Sequence, residues 1–172
     1  MMKLLRRALT LSGLLAPMLV SPAFAGPAEY NLLVSYIGNW RGSGQLVGGD
    51  RPESFNCRMN IAKGNDTRIN YAGRCALVGL NLSVSGTIAY NDANNRYEAA
   101  MSSNAGFTGL AIGQRQGDQI SFDLREQGRD QSGNDVSIGS EIILKDGGIT
   151  VNFLVEFNDS GDTMSASVPF NR

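Results

Sequence analysis

Tyr36-Ile37-Gly38-Asn39-Trp40-Arg41-Gly42-Ser43-Gly44-Gln45-Leu46 holds the chain's single tryptophan, in a Gly-x-Trp followed by two glycines at alternate positions. Trp40, Gly42, Gly44 and Leu46 fall on one face of an extended segment. Glycine at every second position of a strand lets it bend sharply or lie against another backbone, as a small barrel requires. The stretch therefore reads as the first strand of a closed barrel. Just before it, Leu32, Leu33, Tyr36 and Ile37 recur at helical spacing, which predicts a short helix over 29–37 that plugs one end.

The two segments that follow fix a register. Phe55, Cys57, Met59 and Ile61 alternate with Asn56, Arg58 and Asn60; Ile69, Tyr71, Gly73, Cys75 and Leu77 alternate with Asn70, Ala72 and Arg74. If Cys57 faces Cys75, then 59 faces 73 and 61 faces 71, and the connection falls on Gly64-Asn65-Asp66. One register satisfies both turn chemistry and apolar alternation. It predicts a cross-strand Cys57–Cys75 disulfide on the inner face. It also sets Arg58 opposite Arg74 on the other face, where like charges repel unless water, a carboxylate or an anion intervenes. Neighbouring acids are the expected partners; an anion or protein patch is the functional alternative.

Downstream the alternation repeats. Leu80 to Tyr90 runs to the turn at 91–95, and Tyr97, Ala99 and Met101 return. The Gly-rich segment 107–115 follows, with an alternation that does not fix a face. Ile120, Phe122 and Leu124 come next, then a long polar loop at 127–135. Val136 to Leu144, Ile149 to Phe157 and Met164 to Phe170 complete the series. About ten strands at hairpin spacing, with no helix after Ile37, predict an all-β, closed antiparallel up-and-down barrel with a short N-terminal helix. A β-sandwich is the alternative.

Lys3, Arg6 and Arg7 precede an apolar run from Ala8 to Val20, and Pro22-Ala23-Phe24-Ala25 offers a small-x-small site. This predicts a signal peptide over 1–25, cleaved after Ala25, with 26–172 as a single barrel domain exported to the periplasm. A disulfide suits that compartment. The 26–172 segment carries 12 basic and 16 acidic side chains, a net charge of −4. That balance argues against nucleic acid and anionic membranes as partners. Beyond the signal, no apolar run approaches the roughly 20 residues of a spanning helix. An outer-membrane barrel is disfavoured because the chain ends Pro169-Phe170-Asn171-Arg172 and shows no aromatic girdles.

The chain has no histidine, which removes the commonest general base and metal ligand. No nucleophile elbow, phosphate loop or metal-binding string appears. Asp130-x-Ser132-x-Asn134-Asp135 and Asp92-x-Asn94 look only faintly like calcium loops, lacking the spaced glutamate. No cofactor or metal is expected.

The segment Gly38-x-Trp40-x-Gly42-x-Gly44, after a short helix and before a meander, resembles the first strand of the calycin group. That group comprises the lipocalins, the fatty-acid-binding proteins and the nitrobindin-like haem barrels. The resemblance covers about a dozen residues and implies a barrel with an internal apolar site. The nitrobindin-like barrels hold haem through a proximal histidine, which this chain lacks, so haem is not carried over.

The expected function is accordingly binding of a small apolar or amphipathic molecule in the lumen. Trp40, Tyr71, Tyr90, Phe122, Phe153 and Phe157 would line it, with Gly42, Gly44, Gly73 and Gly86 leaving space. For Trp40, packing at the barrel floor is the stronger reading. Two alternatives stand beside this one. The first is a non-enzymatic interaction module, an envelope factor or protease inhibitor, with 26–31 as an arm reaching a protein partner. The second is a barrel-type isomerase or cyclase, for which no acid–base pair is visible.

Overall fold

A computed structural model describes residues 26–106, 108–130 and 132–172. The predicted signal peptide and Phe107 lie outside the described residues. A helix, α1 (Gly26–Val34), precedes ten strands: β1 (Gly38–Leu46), β2 (Glu53–Lys63), β3 (Arg68–Leu77), β4 (Leu80–Asn91), β5 (Arg96–Ser103), β6 (Thr108–Gln116), β7 (Gln119–Arg129), β8 (Asp135–Lys145), β9 (Gly148–Phe157) and β10 (Thr163–Asn171). Each strand pairs antiparallel with its chain neighbours, and β10 returns to β1, closing the barrel. The predicted fold class is the observed one.

The β2–β3 register is the one the turn chemistry demanded: Cys57 opposite Cys75, Met59 opposite Gly73, Ile61 opposite Tyr71. The two cysteines form a disulfide on the inner face, with Cα atoms 4.0 Å apart.

Closure depends on the glycines of β1. Along the β1–β10 seam Arg41 pairs with Asn171 and Gly42 with Phe170, and Val47, just past β1, bridges Ser165. There a Cβ on Gly42 would lie 2.8 Å from the Pro169 carbonyl oxygen, and one on Gly44 3.0 Å from that of Ser167. The strand lies closer to its neighbour than a side chain permits, which is why Gly-x-Gly follows the tryptophan.

Three expectations are corrected. The helix spans 26–34 rather than 29–37; Tyr36 N–H and Ile37 N–H bond to the Leu33 and Val34 carbonyls in a closing turn, and Gly38 leaves it with φ +152°. The polar loop expected at 127–135 is shorter, since β7 runs to Arg129 and β8 starts at Asp135, which leaves 130–134 as the connection. Residues 26–31 are not an extended arm but part of the docked helix.

Candidate ligand-binding site

The helix covers one end of the barrel. Its Glu29 carboxylate accepts hydrogen bonds from the Tyr97 hydroxyl on β5 and the Arg115 guanidinium on β6. Tyr30 donates its hydroxyl to the Asn65 carbonyl, 2.6 Å away, in the β2–β3 turn. Beneath the helix, Leu33, Tyr36 and Trp40 are buried with Ile69, Ile120 and Leu144. Trp40 donates its indole N–H to the Tyr36 carbonyl at 2.9 Å, and the Arg172 guanidinium lies 4.6 Å above its ring. This end of the lumen is closed by packed side chains.

The six candidate aromatics all project inward, but the structure divides them. Trp40, Tyr90 and Phe122 belong to the buried half. Tyr97 bridges two of them, its ring centroid 5.0 Å from that of Tyr90 and 6.5 Å from that of Phe122. Tyr71 sits at mid-height, buried, its hydroxyl 3.3 Å from the Ala100 carbonyl. With no ion near, burial pushes that hydroxyl up to about 12. Phe153 and Phe157 lie on β9 toward the opposite end and remain half-buried.

The glycines expected to leave space are already occupied. A Cβ on Gly86 would meet the Tyr71 hydroxyl, and one on Gly73 would lie 3.3 Å from Val84. Gly113, which sequence reasoning did not place inward, is covered by the Phe122 and Tyr97 side chains. A mid-lumen cavity between Tyr71, Met101, Phe122, Leu124 and Ile142 holds about 10 Å³. That is room for about one water.

The other end is different. Leu46, Leu77, Leu82, Ile138, Val155 and Met164 occupy inward positions of their strands, yet all are only half-buried. Leu80 and Val78, at the β3–β4 hairpin, are exposed by 45% and 78%. The inward series of β7, Ile120-Phe122-Leu124, continues to Glu126, which brings a carboxylate to this mouth. Sequence reasoning missed Glu126, although the same alternation extended by one step finds it. Met101, Leu124 and Ile142 likewise read from sequence as strand positions but not as lining.

Arg58 and Arg74 project outward, on the face opposite the lumen, and so hold nothing inside it. The Asp130 string closes on itself: its carboxylate accepts from the Ser132 and Asn134 backbone N–H groups, each at 2.8 Å, and from the Asn134 amide. These bonds, chiefly that from Asn134, hold the Asp130 carboxyl below the usual carboxylate range. No group of three or more metal-ligating side chains forms among the described residues. No described helix is long and apolar enough to cross a membrane.

No family model and no curated protein matches the chain. Among solved structures, it is similar to Rv2717c from M. tuberculosis, with a TM-score of 0.62 at 15% identity, covering 83% of this chain and 95% of that one. Two further likenesses are weaker. One is to a de novo designed fluorescence-activating β-barrel (TM-score 0.41, 13% identity, 87% of this chain and 98% of that one). The other is to EF1p2_mFAP2b bound to DFHBI (TM-score 0.42, 8% identity, 87% and 99%). The likeness to Rv2717c is one of fold: both chains are barrels of this kind.

Proposed function

We propose that this chain is an exported, calycin-like barrel that binds a small apolar or amphipathic molecule at the mouth of its lumen. The observation that carries the reading is the asymmetry of the lining. Inward apolar side chains at the helix end are mostly buried, whereas at the far end Leu46, Leu77, Leu82, Ile138, Val155, Phe157 and Met164 stay half in water, with Phe55 and Val136 the buried exceptions. A group of apolar side chains left half wet on neighbouring strands marks a site that a ligand would cover. Phe153 and Phe157, with Leu82 and Val155, supply the apolar contact. Met101 lies just below, and its flexible thioether is the side chain best suited to yield to a longer ligand.

The polar contribution at the mouth is Glu126, not an arginine. An amphipathic ligand with a hydroxyl or amine head suits it better than one with a carboxylate, which Glu126 would repel. Export is supported by the signal-like segment 1–25 and by the disulfide. The periplasm is the compartment this reading assigns.

The test is uptake of N-phenyl-1-naphthylamine against an anionic fluorescent fatty acid, with native mass spectrometry of protein from its own host. Brightening of the amine probe, weakened about tenfold by Phe157→Ser through lost apolar contact, is the expected result. Failure of both probes to bind, with a clean apo mass, would remove the lumen reading.

A further inference from the structure

The outer wall carries a feature that the lumen reading does not use. Arg41 of β1 stands opposite Arg58 of β2, and Arg58 opposite Arg74 of β3. Three arginines thus lie side by side on adjacent strands, all exposed and all facing outward. The row runs on into Ser83 of β4 and then to Asn104, whose side-chain oxygen accepts the Ser83 N–H at 2.7 Å. The flanking row is Asn39, Asn60, Ala72, Ser85 and Ser102, all short and uncharged. Together they line an open groove of about 800 Å³.

The charge pattern here opposes that of the whole. Segment 26–172 has four more acids than bases. Yet the outward positions of β1 to β4 carry Arg41, Arg58, Arg68 and Arg74 and no Asp or Glu. None of the ion pairs among the described residues involves Arg41, Arg58 or Arg74. The neighbouring acids expected to pair with Arg58 and Arg74 are therefore not there. Like charges directly opposite one another are unfavourable, and three in a row without a carboxylate are unfavourable twice over.

We propose that this groove binds an acidic polysaccharide whose successive sugars each carry a carboxylate. Adjacent strands lie about 4.8 Å apart, so the three guanidinium groups form a ladder roughly 10 Å long. A pyranose chain bearing one carboxylate per sugar repeats at comparable spacing. Each guanidinium fork matches a carboxylate in a bidentate pair. The Asn and Ser side chains between them donate and accept as sugar hydroxyls require.

Other occupants fit less well. The outward positions of this groove hold no aromatic or large apolar side chain. A protein interface takes such residues as anchors, a membrane surface requires apolar insertion, and single-stranded nucleic acid requires stacking platforms.

The experiment is titration of protein 26–172 with oligogalacturonate at low salt. Neutral galactan, polyphosphate and vesicles containing an anionic lipid serve as the other arms. Oligogalacturonate binding is expected to weaken with salt. It should fall at least tenfold in Arg58→Gln and disappear in the Arg41→Gln/Arg58→Gln/Arg74→Gln variant. The triple Lys variant should keep the salt dependence while losing much of the affinity. Arg125→Gln, on β7, should bind like the parent.

Because the three side chains are exposed, the triple Gln variant should melt no lower than the parent, and its uptake of the lumen probe should be unchanged. The inference falls if oligogalacturonate does not bind, or if the triple Gln variant still binds it. Equal binding of neutral galactan, or preference for polyphosphate or vesicles, would also overturn it.

Discussion

Gly86 lies directly opposite Tyr71 in the β3–β4 ladder, and the tyrosine hydroxyl occupies the space that a side chain on Gly86 would need. A Cβ there would stand 2.6 Å from that hydroxyl and 2.0 Å from the Ala100 carbonyl oxygen. The hydroxyl belongs to a side chain that can move, whereas the carbonyl belongs to the β4–β5 ladder and cannot. Gly86→Ala is therefore expected to destabilise the barrel by about 3 kcal/mol, the upper range for overpacking, read by urea unfolding. Combining it with Tyr71→Ala should not restore stability, since the Ala100 clash persists. Full rescue would show that Tyr71 alone sets the constraint.

The Cys57–Cys75 bridge closes a loop of sequence separation 18 on the inner face of β2 and β3. The chain-entropy model gives about 3 kcal/mol for a loop of this size. Replacing both cysteines with alanine should lower the unfolding free energy by about that amount and leave the circular-dichroism spectrum that of a barrel. A loss under about 1 kcal/mol would mean that the unfolded chain already keeps the two cysteines near one another, so that the bridge removes little entropy from it.

Alkaline pH should weaken the fold through its buried tyrosines. Burial raises the Tyr71 hydroxyl from 10.0 to about 12. Tyr97 is raised as well, first by burial and then by its bond to the Glu29 carboxylate. A folded-state value above the unfolded one means that folding favours the protonated form. The associated stability is complete below pH 10 and is lost as pH rises from 10 through 12. Unfolding free energy should thus fall between pH 9 and 11.5, and Tyr71→Phe should lose about 2 kcal/mol less over that interval. Equal losses in parent and variant would show that Tyr71 does not titrate in this way.

The strand series and one register were legible because two constraints coincided. Alternation of Phe55 to Ile61 against Ile69 to Leu77 meets a turn at Gly64-Asn65-Asp66, and only one pairing serves both. No such coincidence exists between β1 and β2: Gly48-Gly49-Asp50 and Pro52 mark a turn, but spread over six positions it fits more than one pairing of the Gly-rich β1. Arg41 could not be placed beside Arg58 from sequence, so the third member of the ladder stayed hidden. The inward direction of the six aromatics was readable from period two. Their height in the barrel was not, since height depends on the stagger of all ten strands. The 127–135 segment read as loop because Glu126 and Gly128 hold inward positions near the mouth, where the environment is wet and apolar alternation fades.

The helix, nine residues long, is too short to be stable alone in water, so its order depends on what it touches. Leu33 supplies the buried apolar contact, and Glu29 supplies the polar one, joining α1 to Tyr97 and Arg115 on two strands. Glu29 is 15% exposed and Arg115 41%, so the carboxylate is the better-shielded partner. Removing it leaves the Tyr97 hydroxyl without its acceptor in a buried setting, at a cost of about 2 kcal/mol. Glu29→Ala should therefore lower stability by that amount, Glu29→Gln by less because an acceptor remains, and Arg115→Met by less than Glu29→Ala because its site is wetter. The deciding measurement is amide hydrogen exchange. In Glu29→Ala, exchange over 26–34 should accelerate well beyond that of β7 and β8, because undocking the helix breaks none of the barrel's ladders. Uniform acceleration across helix and strands would mean that the plug and the barrel open as one unit, and that the end closed by α1 is needed for the barrel itself to stay shut.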